Sequence, residues 1–116
     1  MVRIEQCPGA TLLVLGVSYE SLDEAVLDEF GGLLLTVAAT ADPPRVVLDL
    51  AATRLIGSRF IELMIRAWKR LAQRGGRLAL CGVQPFCAEV LRVTRLDTLW
   101  EIFDDRAGAL ASLAPQ

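Results

Sequence analysis

A chain of 116 residues, 53% of them hydrophobic, is long enough for one core and too short for two ordinary domains, which predicts a single domain over residues 1–116. Its 12 basic and 14 acidic residues leave a net charge of −2 without a dense basic cluster, which argues against direct binding of nucleic acid. No apolar run approaches the roughly 18 residues of a membrane span, and the first residues lack the pattern of a secretory signal, so we expect a soluble, cytoplasmic protein that does not bind membranes.

Two short strands are predicted at the start of the chain. Val2 to Gln6 alternates apolar and polar residues, and Ala10 to Val17 is an apolar run. Pro8-Gly9 lies between them and is typical of a turn. The two segments are therefore predicted to form a hairpin.

The first helix is predicted from about Leu22 toward Thr40. Ser21 and Glu24 have the spacing of a capping box, and the apolar residues that follow recur at helical intervals. Asp42-Pro43-Pro44 ends the helix, because the residue before a proline is pushed out of the helical region.

A buried strand and a long amphipathic helix are predicted next. The strand from Arg45 to Leu50 contains the apolar run Val46-Val47-Leu48, which is typical of a central parallel strand covered on both faces. A helix from about Ser58 to Arg74 follows, and Gly75-Gly76 is a good stop for it. Ser58 is predicted to be the helix N-cap, at a helix end whose first amides have no internal partner and whose dipole favours anions.

The last third of the chain continues the alternation of strands and helices. Residues 77–82 are predicted to form a buried strand, Pro85 fits the first turn of a third helix, and residues 99–103 are a candidate edge strand. Asp104 or Asp105 is a candidate start for a last helix. This alternation predicts a layered α/β domain, with a mixed sheet of about four to five strands flanked by about four helices.

The residues from Arg45 onward carry an ordered set of signals. LDLAATRLIGSRFIEL has a serine at a helix start, and it is followed by a Gly-Gly turn, a strand, a helix begun by proline and the segment VTRLDTLWEI. In this order the signals resemble the STAS domain of bacterial anti-sigma factor antagonists. The resemblance implies a small STAS-like sheet flanked by helices, with the Ser58 loop at one end.

The same resemblance implies a regulatory binding module of bacterial transcription that is not an enzyme. In the family, a serine or threonine at the position of Ser58 is phosphorylated by an anti-sigma factor that is also a serine kinase. The unphosphorylated protein is expected to bind this kinase, and a phosphate on Ser58 would end the binding through charge repulsion and desolvation. A serine phosphatase would restore it. The expected partner-binding residues are Gly57, Ser58, Arg59, Phe60 and Glu62.

Alternatives remain for individual residues and for the whole domain. Ser58 can serve as a helix N-cap whether or not it is phosphorylated, and Arg59 can instead pair with a phosphate inside the molecule. Phe60 is expected to be buried, whereas an outward-pointing Phe60 would be a binding anchor. Members of the family often have Asp before this serine and small residues after it, whereas here Gly57 precedes Ser58 and Arg59 and Phe60 follow it. This difference also fits a STAS scaffold or assembly subunit that is never phosphorylated. A small-ligand-binding STAS domain is the third possibility.

Few groups in the sequence suit catalysis, metals or cofactors. The chain has no histidine and no glycine-rich nucleotide motif, so we predict no enzymatic activity, no metal site and no cofactor. Cys7, Cys81 and Cys87 lack metal-ligand spacing and are expected to be reduced thiols that pack as small hydrophobic groups. Asp49 suggests a phosphorylated receiver aspartate, but residues 13–16 lack the acidic groups that its magnesium needs. A carboxylate bonded to loop amides is the expected role of Asp49.

Overall fold

The computed structural model describes residues 2–16 and 24–113. The predicted fold class is confirmed, since the described elements alternate between strands and helices around one mixed sheet. The elements, in chain order, are β1 (Val2–Cys7), β2 (Ala10–Leu15), α1 (Glu24–Thr40), β3 (Arg45–Asp49), α2 (Ser58–Gln73), β4 (Arg77–Cys81), α3 (Pro85–Val93), β5 (Glu101–Phe103) and α4 (Arg106–Leu113), with a 3₁₀ turn at Leu96–Thr98.

The five strands form one sheet in the order β1-β2-β3-β4-β5. β1 and β2 are the predicted antiparallel hairpin, and β2 to β5 run parallel to one another. In the central register, Leu48 lies opposite Leu13 on one side and Leu80 on the other. Because four strands run in the same direction, the carboxyl ends of β2, β3, β4 and β5 all meet at one edge of the sheet.

The two faces of the sheet are covered unequally. Leu13, Leu48 and Leu80 face the larger core, which is closed by apolar residues of α1, α2 and α3. Their neighbours in the strands point to the opposite face, where Val47 packs with residues of α4 such as Leu113. This alternation follows from the two-residue period of a strand, and it explains why the consecutive residues Val46, Val47 and Leu48 of β3 are all apolar.

Turn chemistry fixes the end of α2 as predicted. Gly75 adopts a φ of 71°, and its N–H donates to the Ala72 carbonyl oxygen at 3.0 Å. The N–H of Gly76 donates to the Leu71 carbonyl oxygen at 2.7 Å, which completes a Schellman motif. The chain then turns back into β4, where the Arg77 N–H donates to the Pro44 carbonyl oxygen at 3.0 Å.

Several predicted element boundaries shift. β5 begins at Glu101 because the residues before it form a 3₁₀ turn that leaves Leu99 in the helical region. Of the two candidate aspartates, Asp105 caps α4, since its Oδ1 accepts the Gly108 N–H at 2.8 Å. The predicted capping serine, Ser21, lies outside the described residues. None of the described helices combines the length and apolar character needed to cross a bilayer.

Candidate functional site at the start of helix α2

The loop that joins β3 to α2 is held on the carboxyl edge of the sheet. The Leu50 N–H donates to the Cys81 carbonyl oxygen at 3.0 Å, which continues the pairing of β3 with β4 beyond the last ladder residue. The side chain of Thr53 is completely buried, and its Oγ1 donates to the Gly16 carbonyl oxygen at 3.1 Å. These contacts connect the loop to both neighbouring strands and thereby position the first turn of α2.

Ser58 is the first helical residue of α2, which corrects the prediction that it is the N-cap. Gly57 occupies the cap position with an extended backbone (φ −106°, ψ 178°), and no side chain of the described residues caps the helix. The Ser58 side chain is exposed, and its hydroxyl makes no hydrogen bond with any described residue. The hydroxyl therefore faces solvent beside the first amides of the helix.

Phe60 lies on the buried face of α2, as expected, with 0% of its surface exposed. Its ring stacks on that of Phe30 in α1, with the ring centroids 5.1 Å apart and the planes 6° from parallel. The helical spacing of Phe60 with Leu63, Met64 and Ala67 puts it in the core. The ring of Phe60 is therefore covered by the fold and is not part of the exposed surface at the start of α2.

Arg59 and Glu62 lie on the outer side of the first turns of α2. The Arg59 guanidinium forms an ion pair with Asp28 of α1, and both side chains are well exposed to solvent. Glu62 is exposed. The candidate surface thus has a free hydroxyl at Ser58 and an arginine that already has an anionic partner.

An exposed aromatic residue that was not among the predicted site residues follows this loop in the chain, on helix α3. α3 packs against the loop, since the Cys87 thiol donates to the Arg54 carbonyl oxygen at 3.4 Å. Phe86 precedes this buried cysteine and is 53% exposed. The spacing of residues in α3 could have predicted this exposure. Cys87 and Leu91 lie on the inner face of the helix, and Phe86 is turned about 100° away from Cys87.

Asp49 has the predicted role of a carboxylate bonded to the loop. Its Oδ1 accepts a hydrogen bond from the Ala51 N–H at 3.0 Å. Its Oδ2 accepts a hydrogen bond from Nη2 of Arg106 at 2.8 Å. The hydrogen bond to Asp49 raises the pKa of Arg106 above its ordinary value. Asp49 is only 5% exposed, and this pair fastens the start of α4 to the end of β3.

The buried thiols are unreactive packing groups. Burial and, to a smaller extent, the nearby negative charge of Asp49 raise the pKa of Cys81 to about 11, against the opposing effect of Arg106. Burial also raises the pKa of Cys87. Both thiols are therefore protonated near neutral pH, and the thiolate is the nucleophilic form. Within residues 2–16 and 24–113, no cluster of cysteine and carboxylate side chains could hold a metal ion.

Comparison with known proteins links this arrangement to one family. Residues 14–102 match the family model described as "Mlab, STAS domain". The structure of an anti-sigma-factor antagonist (STAS) domain protein from Planctomyces limnophilus is 32% identical in sequence, with 98% of each chain covered and a TM-score of 0.88. A search of curated proteins gave no match.

Two further structures share the fold at lower sequence identity. An anti-sigma factor antagonist from Mycobacterium paratuberculosis is 18% identical, covering 97% of this chain and 92% of its own, with a TM-score of 0.80. The anti-sigma factor antagonist SpoIIAA, in its unphosphorylated form, is 16% identical, covering 97% and 95% of the two chains, with a TM-score of 0.77. At these identities the likeness extends to the fold alone.

Proposed function

Because the chain belongs to the STAS domain family, we propose that it is a regulatory module without enzymatic activity that binds an anti-sigma serine kinase. In its unphosphorylated form the protein holds the kinase in the bacterial cytoplasm and so releases a sigma factor. Phosphorylation of Ser58 ends this binding, and a serine phosphatase restores it. The observation that carries the proposal is the exposed Ser58 hydroxyl at the first position of α2.

The binding surface in this proposal consists of the loop before α2 and the outer side of its first turns. Gly57 lets a partner approach the backbone at the helix start, since it has no side chain there. Ser58, Arg59 and Glu62 supply polar contacts, and Phe86 on the neighbouring helix supplies the aromatic anchor that Phe60 does not. A central aromatic within a polar rim is typical of interfaces in which a few residues dominate the affinity.

Charge is the proposed means of switching. A phosphate adds a charge of about −1.5 to −2 at neutral pH together with three acceptor oxygens. The nearest cation in sequence, Arg59, is already paired with Asp28, so the new charge stays largely uncompensated at the surface. A partner would then have to desolvate this charge, whereas the helix N-terminus tolerates it. Binding therefore falls without any refolding of the domain.

The experiment is to incubate the protein with the cognate kinase and ATP, followed by intact mass spectrometry and affinity measurement. We expect the mass of one phosphate to be added in the wild type and in Ser112→Ala, which removes an exposed serine of α4, and to be absent in Ser58→Ala. Ser58→Ala should keep its affinity for the kinase and Ser58→Asp should lose most of it. Equal affinities of these two variants would contradict the switch.

A scaffold or assembly subunit that is never phosphorylated is the second candidate. Its support is that Arg59, the residue after Ser58, is already engaged in an ion pair with Asp28 of α1. This candidate predicts no added phosphate in the wild-type protein under the same conditions. It also predicts that Arg59→Ala changes assembly with a partner protein and leaves Ser58 unphosphorylated.

A further inference from the structure

Helix α2 carries three exposed cations, Arg66, Lys69 and Arg70, which form no ion pair with any described residue. Most other arginines of the described chain have partners. Arg45 and Arg74 bind backbone carbonyl oxygens. The arginines in ion pairs are Arg3 with Glu5, Arg59 with Asp28, Arg77 with Glu101, Arg92 with Glu89, and Arg106 with Asp49.

The three cations lie on one side of the helix. Residues three and four positions apart are neighbours on a helical surface, so Arg66 lies beside both Lys69 and Arg70. Together with Gln73 and with Leu35 of α1, they line a shallow depression between the two helices with a volume of about 200 Å³. We call these five residues the basic surface of α2.

Helix stability does not account for the basic surface. Like charges four positions apart, as at Arg66 and Arg70, are unfavourable in a helix. The helix dipole favours cations only in the last turn, which contains Arg70 but not Arg66. Glu62 lies four positions before Arg66, yet the two side chains form no ion pair in the structure. The cluster thus lowers the stability of the helix, and no contact with a described residue compensates for this effect.

We propose that the basic surface of α2 is a docking site for an acidic segment of a partner protein. Three cations around one apolar side chain, Leu35, complement two or three carboxylates spaced around an apolar residue. At 1.5 Å of rise per residue, Arg66 lies about 12 Å along the helix from Ser58 and Arg70 about 18 Å. The site is therefore separate from the surface at the start of α2 and does not depend on the function proposed for Ser58.

Other anionic ligands fit the basic surface less well. The residues that line it include no aromatic side chain on which a nucleic acid base could stack. A lipid surface would need an exposed apolar face on α2, but that face is buried in the core through Leu63, Met64 and Leu71. A protein segment is the ligand class that matches both the size and the composition of the depression.

The test measures binding of the full chain to a fluorescent peptide in which aspartates and glutamates surround one leucine. Arg66→Gln/Arg70→Gln should weaken binding by about tenfold, and added salt should weaken wild-type binding. The matched control is Arg54→Gln/Arg95→Gln, which removes the same charge from two exposed arginines that also lack ion-pair partners among described residues. This control should bind within about twofold of the wild type.

Three outcomes would overturn the proposal. They are absence of peptide binding, equal weakening in both double variants, and binding of single-stranded RNA or phosphatidylserine vesicles in place of the peptide through the same arginines. Circular dichroism melting of both variants shows that they are folded. Ser58→Asp should bind the peptide like the wild type, so failure of the Ser58 switch and failure of this site give different results.

Discussion

Two phenylalanines near the candidate site have opposite environments, and this difference decides which of them can contact a partner. Phe60 is fully buried against Phe30, whereas Phe86 is 53% exposed beside the loop. An aromatic ring in the core contributes to stability through area removed from water and through close packing. An exposed ring at an interface contributes mainly to affinity.

We therefore expect Phe60→Ala and Phe86→Ala to affect different properties. Phe60→Ala should lower the free energy of unfolding by about 3–5 kcal/mol, since it removes a buried ring and leaves a cavity. Phe86→Ala should change it by less than about 0.5 kcal/mol and should weaken binding to the partner of the Ser58 surface. Urea denaturation and a binding assay on both variants provide the check. A large loss of stability in Phe86→Ala would show that its ring packs against the core.

The thiol of Cys81 makes stability depend on pH in the alkaline range. Its pKa is raised from 9.0 to about 11 in the folded protein, mainly by burial. The stabilising effect is complete below the pKa of the unfolded thiol and is lost as pH rises from about 9 to about 11, because the unfolded chain releases the proton first. Over that window the wild type should lose up to about 2–3 kcal/mol more than Cys81→Ala in urea denaturation. Parallel pH profiles of the two proteins would contradict this assignment.

At the scale of whole elements, glycines set how closely neighbouring segments approach. A Cβ on Gly76 would lie 2.0 Å from the Pro44 carbonyl oxygen, at the point where the end of α2 passes the start of β3. A Cβ on Gly31 would lie 2.8 Å from a Leu63 methyl, which shows how closely α1 and α2 pack. Gly32, one residue further, has open space around it.

Gly76→Ala and Gly32→Ala should consequently change stability in opposite directions. Gly76→Ala should destabilise the protein by about 2 kcal/mol or more, because a backbone atom blocks the new methyl group and neither segment can move freely. Gly32→Ala should stabilise it by about 0.5–1 kcal/mol, since alanine loses less backbone entropy than glycine in an exposed helical position. Thermal melting of the two variants gives the comparison. A stabilised Gly76→Ala would mean that the contact with Pro44 relaxes at little cost.

At the scale of the whole molecule, the proposed switch acts on the surface and leaves the fold intact. Ser58 lies outside both cores, and the residues that hold its loop, such as Thr53 and Asp49, are buried beneath it. A negative charge at the first helical position interacts favourably with the helix dipole by about 0.3–1 kcal/mol. Regulation by charge is therefore compatible with a domain that does not change shape.

Ser58→Asp should accordingly unfold at the same urea concentration as the wild type or at a slightly higher one. Its far-ultraviolet circular dichroism spectrum should be unchanged, while its affinity for the kinase falls. Ser58→Ala serves as the uncharged control for both measurements. A marked loss of stability in Ser58→Asp, absent in Ser58→Ala, would indicate that the charge acts by unfolding the site and would count against surface repulsion.

Local patterns in the sequence determined the order of the elements, the buried character of β3, the stop after α2 at Gly75-Gly76 and the place of Ser58 at a helix start. Each of these depends on the period of apolar residues or on the chemistry of a turn, and both are properties of short segments. The exposure of Phe86 could also have been predicted from the sequence, because its position in the helical repeat differs from that of Cys87 and Leu91.

Only the tertiary structure decided which distant residues meet. Asp49 and Arg106 are 57 positions apart, and Phe30 stacks on Phe60 only because α1 and α2 pack on the same face of the sheet. The geometry of the loop made Gly57 the cap and left the Ser58 hydroxyl free. The basic surface of α2 likewise depends on tertiary structure, because the fold gives ion-pair or carbonyl partners to most of the other described arginines but not to Arg66 or Arg70. Such pairings depend on the order of the strands and on the packing of the helices. Neither can be predicted from the spacing of residues within a short segment.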